Sequence, residues 1–331
     1  MNESCRMLIK KVLLASTVTK DDVLQPLWSG YGEVYRVNLT GAIVPSVIVK
    51  HINPGQQNGS HPRGWHSDAS VQRKLKSYAV EQCWYEQYAP LCVKGCKVPT
   101  CYATGGDGQE RWIILEDLDH HGYSLRFSNL SPDQCQRCLS WLAHFHALFL
   151  NRNPENLWPI GTYWHLATRQ QEWDACNNLQ LKDNAASLDN LLNSCLYTTL
   201  VHGDAKVANF CFAEEKSGLG VAAVDFQYTG GGCGIRDVAY FFGSCLSARD
   251  CHFFADDLLD QYFDLLKIAC RQRPIPIENT EIQKIEEEWR YLYPVAWADF
   301  HRFLDGWSPN HQKINDYARA QTHIALNRLS G

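Results

Sequence analysis

The segment His202-Gly203-Asp204-Ala205-Lys206-Val207-Ala208-Asn209 puts a carboxylate and, five positions later, a side-chain amide into one short stretch. A second carboxylate, Asp225, follows the apolar run Val221-Ala222-Ala223-Val224 and opens Asp225-Phe226-Gln227. These groups suit phosphoryl transfer. One carboxylate faces an attacking hydroxyl and can accept its proton, while an amide oxygen and another carboxylate hold a hard cation on nucleotide phosphates. Asp204 is therefore the candidate catalytic base, or hydroxyl-orienting carboxylate. Asn209 and Asp225 are the candidate Mg²⁺ ligands, because magnesium takes oxygen donors. An Asx-rich turn capped by a histidine would explain the first segment alone, but not the second carboxylate at the end of an apolar strand.

Nucleotide phosphates also need a positive partner. Lys50 ends the apolar strand Val47-Ile48-Val49-Lys50, where it can act as a point charge if a carboxylate fixes it. Glu81, in Tyr78-Ala79-Val80-Glu81, is the natural partner, with Glu86 as a rival. The plain readings are a solvent-facing strand end for Lys50 and a solvated helix face for Glu81. The order strand, loop, helix favours the pair. Upstream, Trp28-Ser29-Gly30-Tyr31-Gly32-Glu33-Val34-Tyr35 places Ser29, Gly30 and Gly32 between two strands, where small residues let backbone N–H groups approach phosphate oxygens. An ordinary hairpin turn would read the same way.

Taken together, the HGD-x4-N segment and the later Asp225-Phe226-Gln227 resemble the aminoglycoside phosphotransferase and choline kinase superfamily. Gln227 in place of a glycine, with Arg236-Asp237-Val238-Ala239-Tyr240-Phe241 downstream, looks most like its ecdysteroid-kinase-like branch. The resemblance implies an α+β, two-lobed protein-kinase-like fold. Residues 1–118 would form a small β-rich nucleotide-binding lobe, and 119–331 a larger, mainly helical lobe with the catalytic loop and the acceptor site. It implies ATP and Mg²⁺ as cofactors and a small-molecule alcohol as acceptor. It also implies that the backbone from Glu116 to Leu118 bonds the nucleotide base, that His202 is a support, and that Arg236-Asp237 positions the loop and caps the next helix. The glycine-rich pattern departs from the protein-kinase one: Ser29 stands at its middle glycine and Leu27 at its first.

Hydrophobic periodicity gives the elements that must position these residues. It predicts a helix over 4–15 and strand character from Val23 to Ile52, then a loop, Asn53 to Ser67, rich in Gly, Pro, Asn and His and expected to be mobile. A helix follows over Asp68–Tyr88 with Asp68 at its cap, then strands around Val98–Tyr102 and Trp112–Glu116. Ser131-Pro132-Asp133 opens a helix to about Leu150, with serine at the cap and proline in the first turn. Residues 163–182 and 185–197 read as helices, Leu200–Val224 as a loop and short hairpin, and four further helices follow from Asp237 to Leu329.

With 331 residues, the chain is long enough for a sizeable core. A net charge of −5 gives no basic nucleic-acid footprint. No apolar run approaches the roughly 20 residues that span a bilayer, and the first residues lack a signal-peptide layout, so a cytoplasmic location without a membrane partner is expected. The fourteen cysteines are scattered and read as reduced, mostly buried thiols. Neither Cys135/Cys138 nor Cys92/Cys96/Cys101 offers a second pair at zinc spacing. Trp289, Tyr291, Tyr293, Trp297, Asp299, His301 and Trp307 crowd one span. Asp299 with these rings could receive a cationic amine or choline-like head group, against the plainer reading of helix packing. The rival to a kinase is a pseudokinase-like protein that binds nucleotide or metabolite without transfer. The sequence leaves the oligomeric state open.

Overall fold

Tyr35, Val37 and Leu39 alternate with Arg36 and Asn38, so their strand can bury one face, while Val47-Ile48-Val49 is a continuous apolar run suited to a central strand. They lie in β2 (Gly32–Thr40) and β3 (Ser46–Ile52). Before them come α1 (Glu3–Leu13) and β1 (Thr17–Pro26); after them come α2 (Asp68–Cys83), β4 (Cys101–Asp107) and β5 (Glu110–Glu116). The structure, a computed structural model, describes residues 1–56, 68–92 and 95–330. The five strands form an antiparallel sheet in the order β1-β2-β3-β5-β4. Helix α1 is capped by the Asn2 side chain, which accepts from Cys5 N at 2.8 Å. Its Cys5, Ile9 and Leu13 fall on one face and pack with Tyr35, Val37, Val47, Val49, Trp112 and Ile114.

The remaining elements are α3 (Pro132–Leu148), α4 (Gln170–Asp174), α5 (Leu179–Asp183), α6 (Ala185–Asn193), β6 (Thr199–Val201), β7 (Phe210–Phe212), β8 (Val221–Ala223), β9 (Gly230–Gly232), α7 (Ile235–Cys245), α8 (Ala248–Arg271), α9 (Asn279–Trp307) and α10 (Asp316–Ser330). Two small two-stranded sheets, β6-β9 and β7-β8, frame the segment that holds Asp204 and Asp225. Helix α3 begins as expected. Ser131 Oγ accepts from Gln134 N, and Gln134 Oε1 accepts from Ser131 N, with Pro132 in the first turn. No described helix is long and apolar enough to cross a membrane. None of the fourteen cysteines, all among the described residues, is in a disulfide, and eleven are buried.

The chain divides into two compact units. One comprises Met1–Leu91, Val98–Leu125 and Phe212–Ala222; the other comprises Cys92–Lys97, Arg126–Cys211 and Ala223–Gly331. A single cut at residue 118 misses the hairpin tip Phe212–Ala222, which joins the sheet-bearing unit. Leu125 and Phe212 exchange two backbone bonds at 3.0 and 2.9 Å, and Tyr123 Oη donates to Leu219 O at 3.4 Å.

Several elements differ from the sequence reading. Strand β1 starts at Thr17, well before Val23, because it is an edge strand on which only Val18 is buried and no apolar alternation marks it. Strand β4 is shifted to Cys101–Asp107 and runs through glycine, where a Cβ on Gly105 would meet the Trp112 indole. Asp68, the first described residue of α2, is itself helical rather than a cap. Of the loop Asn53–Ser67, Pro54–Gln56 form one tight turn, and residues 57–67 lie outside the described residues. The expected long helix over 163–182 is broken into α4 and α5. Asp305 explains the break: its Oδ2 accepts from Asn177 N and Asn178 N at 2.6 and 2.8 Å, drawing those donors out of a helix, and the Asn178 side chain then caps α5.

Candidate active site

In the sheet-bearing unit, β3 is a central strand and places Lys50 between Val34 and Ile113. Its ammonium meets Glu81 Oε2 of α2 at 2.6 Å, with side-chain exposures of 8% and 2%. Glu86 is engaged elsewhere, accepting from Gln82 and Thr104. A buried pair of this geometry holds the lysine in one place, and removing one partner would leave a desolvated charge. The turn after β1 closes on itself: Gly30 N–H donates to Leu27 O and Tyr31 N–H to Trp28 O. Gly32 sits at φ +132°, and a Cβ there would lie 2.0 Å from His51 O, so the β2–β3 pairing excludes any other residue. Beyond β5, Asp117 accepts from Arg36 and from Ser46 Oγ at 2.6 Å. Burial works against its charge, but Arg36 and Ser46 outweigh it and hold the carboxyl below its ordinary range. Asp117 thereby anchors the chain from Glu116 to Leu118. Glu116 N–H donates to Thr100 O, and Leu118 O accepts from His121 and Tyr123 N–H.

In the helical unit, Asp204 is 6% exposed and its carboxylate is clamped from both sides. Tyr240 Oη of α7 donates to Oδ1 at 2.9 Å; Lys206 Nζ and Asn209 Nδ2 donate to Oδ2 at 2.9 and 3.2 Å. Asn209 Nδ2 also donates to the Asp204 carbonyl at 2.8 Å, so its amide oxygen is the atom it can offer to a cation. Val224 N–H donates to Asn209 O at 2.9 Å and sets Asp225 on the adjoining segment. Asp225 itself holds φ +69°, a left-handed conformation costing about 1–3 kcal/mol in a non-glycine residue. Gln227 Nε2 donates to Asp225 Oδ1, so the glutamine that stands where a glycine is usual fixes the carboxylate from within the same loop. One amide oxygen and one carboxylate on adjoining segments fit a hard divalent cation that completes its shell with phosphate and water oxygens.

The loop is held from behind by Asp237. Its carboxylate accepts from His202 N–H at 2.6 Å and Gly203 N–H at 3.0 Å, and it faces His146 Nε2 at 3.2 Å, all without solvent. Asp237 lies inside the first turn of α7, whose cap is Gly234 without a side-chain bond, so it positions the loop but does not cap the helix. His202 contacts Val224 O and the rings of Trp141 and Phe226, a support as implied. Gly203 has φ +78°, and a Cβ would fall 2.1 Å from Tyr228 O. Thr162, a β-branched residue at φ +93°, bonds Tyr228 O through its N–H, and Tyr163 N–H reaches Gly203 O.

Asp299 takes a different place from the one expected. It is fully buried, with Arg302 Nε and NH2 on Oδ1 at 3.1 and 2.8 Å and Trp164 Nε1 on Oδ2 at 3.1 Å. Its carboxylate holds helices together and has no face to offer an amine. The aromatic span around it packs likewise: Trp289 bonds Tyr197 O, Tyr293 Oη meets Tyr317 Oη, and Trp297 lies against Tyr317.

Sequence reasoning missed Lys206, Tyr240, Tyr163 and Lys313. Lys206 lies inside the segment that was read, two positions after Asp204. Burial opposes its charge, but Asp204 and Asp225 outweigh this and hold the ammonium above its ordinary range. Tyr240 lies in the Arg236–Phe241 segment but reaches Asp204 only through folding, while Tyr163 and Lys313 come in against its ring and leave no local signal.

A sheet with a buried lysine–glutamate pair, and a helical unit presenting Asp204, Asn209 and Asp225 on two adjoining segments, define a two-lobed, protein-kinase-like α+β architecture. The chain belongs to the phosphotransferase enzyme family, whose model matches residues 23–275. No curated protein sequence matches it. In fold it is similar to a choline kinase from Cryptosporidium parvum, at TM-score 0.56 and 11% identity, covering 99% of this chain and 95% of that one. It is also similar to a microcompartment-associated aminopropanol kinase, at 0.51 and 13%, covering 99% and 98%. A third is an amicoumacin kinase in complex with AMP-PNP and Ca²⁺, at 0.52 and 12%, covering 99% and 93%.

Proposed function

We propose that the chain is an ATP-dependent kinase that transfers the terminal phosphoryl group to a hydroxyl of a small molecule. The observation that carries this reading is the clamp on Asp204, whose carboxylate is fixed by Tyr240 on one oxygen and by Lys206 and Asn209 on the other. A carboxylate so held can orient an acceptor hydroxyl in line with the phosphate. As the acceptor oxygen bonds to phosphorus, the bond to the bridging oxygen breaks and the nucleoside diphosphate leaves with that electron pair. The acceptor proton passes to Asp204 and then to solvent. Lys50, fixed by Glu81, neutralises nucleotide phosphates; the turn with Ser29, Gly30 and Gly32 stays close to them; Glu116 and Leu118 serve the base, Leu118 through its N–H. Asn209 and Asp225 would hold Mg²⁺, which offsets phosphate charge when bound. Lys206, its side chain 38% exposed, is positioned to meet the transferring group. Within the family, Gln227 and the Arg236–Phe241 segment favour the ecdysteroid-kinase-like branch. A pseudokinase is disfavoured, because Lys50, Asp204, Asn209 and Asp225 are all present.

The direct test is nucleoside diphosphate release across a panel of hydroxylated metabolites, with acceptor-independent hydrolysis subtracted. Two variants sharpen it. Lys50→Met keeps the apolar stem and removes the charge, so turnover is expected to fall far more than the melting temperature. Near-wild-type turnover would make Lys50 a strand-end charge only. Asp225→Ala leaves the neutral Asn209 as ligand, so nucleotide affinity measured with magnesium should fall toward the value without it. Asp225→Asn should bind at an intermediate level and still turn over poorly. The same magnesium dependence in wild type and Asp225→Ala would refute the ligand assignment.

A further inference from the structure

The aromatic surface beside Asp204 is already occupied by the protein's own cations. Tyr240, which bonds Asp204, lies 5.7 Å from the Tyr163 ring and 5.0 Å from the Phe300 ring. Lys313, in the turn between α9 and α10, sets its ammonium 4.6 Å from the Tyr240 ring centroid and 5.6 Å from that of Phe300. Arg169 covers Tyr163 and Phe303 at 5.9 and 5.2 Å. The nearby cations differ in how they are compensated. Arg169 pairs with Glu172 at 2.8 Å and donates to Tyr163 O; Lys206 pairs with Asp204. Among the described residues, no carboxylate comes within ion-pair distance of the Lys313 ammonium; it faces the two rings and feels the Asp204 charge only at longer range. A half-buried cation over aromatic rings, with Asp204 acting on it but not paired to it, is stabilised only in part.

Building on the phosphotransferase reading, we infer that Lys313 recognises the acceptor: the alcohol carries an anionic group, a carboxylate or a phosphate, near its hydroxyl, and acceptors with a cationic head group are turned away. Lys313 sits where a cationic head group would need the Tyr240 and Phe300 faces, and it repels such a group. An anion there would supply the direct ion pair that Lys313 does not make among the described residues, while the neighbouring hydroxyl lies toward Asp204. Burial pushes the Lys313 amine down to about 8, with Asp204 opposing the shift and Lys206 adding to it. The groups around it that carry or can take charge are Asp204 and Lys206 of the catalytic loop, Tyr240 and Cys245 of α7, and His311 of its own turn, whose Nδ1 accepts from Lys313 N–H; burial holds the Tyr240 hydroxyl well above its ordinary range.

Four aryl alcohols of matched shape test this: 4-(hydroxymethyl)benzoate, 4-(hydroxymethyl)phenyl phosphate, the neutral 1,4-benzenedimethanol, and 4-(aminomethyl)benzyl alcohol. Binding to the whole protein is read calorimetrically without nucleotide, and transfer is read separately with ATP and magnesium. Wild type should bind one or both anionic alcohols about tenfold or more tighter than the amine, and whichever is the tighter names the anion. Lys313→Gln should abolish the preference, Lys313→Glu should reverse it, and Lys313→Arg should keep it. Affinity for the anionic probe should fall from about pH 7 to about pH 9 in wild type and stay level in Lys313→Arg, since only the lysine loses its charge there. Equal or tighter binding of the amine by wild type, failure of both anionic probes to bind, or an unchanged ratio in Lys313→Glu would overturn the proposal. Failure of the kinase reading shows differently, as absent magnesium-dependent nucleotide binding and absent ATP-dependent product with every acceptor.

Discussion

Asp204→Asn is expected to lower phosphoryl transfer by roughly 10²–10⁴-fold while leaving magnesium-nucleotide binding close to wild type. The substitution keeps size and one acceptor oxygen, so Tyr240 Oη and the loop backbone can retain most of their bonds. It removes the negative charge that takes the acceptor proton and that pairs with Lys206. Nucleotide contacts are proposed to fall to Lys50, Asn209 and Asp225, none of which is altered. Titration of nucleotide with magnesium, followed by single-turnover transfer, separates the two effects. A parallel loss of nucleotide affinity would assign Asp204 to metal holding or folding instead. A melting temperature well below wild type would point the same way.

How far these positions could be read from sequence depends on how locally each is encoded. Asp204 and Asn209 share one loop, and Asp225 follows an apolar run, so spacing alone groups them. The Lys50–Glu81 pair was legible for a related reason: β3 and α2 are successive elements, and the central strand delivers Lys50, near its end, against the following helix. Tyr240 and Lys313 lie far along the chain from Asp204 and meet it only once α7 and the turn after α9 have packed. The reading of Asp299 missed for a complementary reason. A carboxylate among aromatic residues in sequence looks like a cation receptor, and only the fold reveals Arg302, Trp164 and Arg236 around it. The start of β1 before Val23 left no trace because an edge strand facing water carries no alternation, and the broken helix over 163–182 depended on Asp305, which no local pattern announces.

Asp299→Ala is expected to destabilise the protein by about 3–5 kcal/mol, the range for removing one partner of a buried ion pair. The side chain is fully buried, accepts two bonds from Arg302 and one from Trp164, and lies 3.8 Å from Arg236 NH1. Alanine would leave two guanidinium groups inside the helical unit without their shared counter-charge, and water cannot readily replace it. Asp299→Asn keeps an acceptor oxygen for Arg302 and should lose less. Arg236 precedes Asp237, which holds His202 and Gly203, so activity should also fall in Asp299→Ala. That fall should track the fraction unfolded and recover in part on cooling below the new midpoint. Thermal and denaturant unfolding measure the first effect, and acceptor KM values measured well below the midpoint decide the role. A carboxylate that receives an amine would show the opposite pattern: an unchanged melting temperature with a raised KM confined to amine-bearing acceptors. That pattern would return Asp299 to the acceptor site and weaken the assignment of acceptor recognition to Lys313, because a bound amine would then lie close to that lysine's charge.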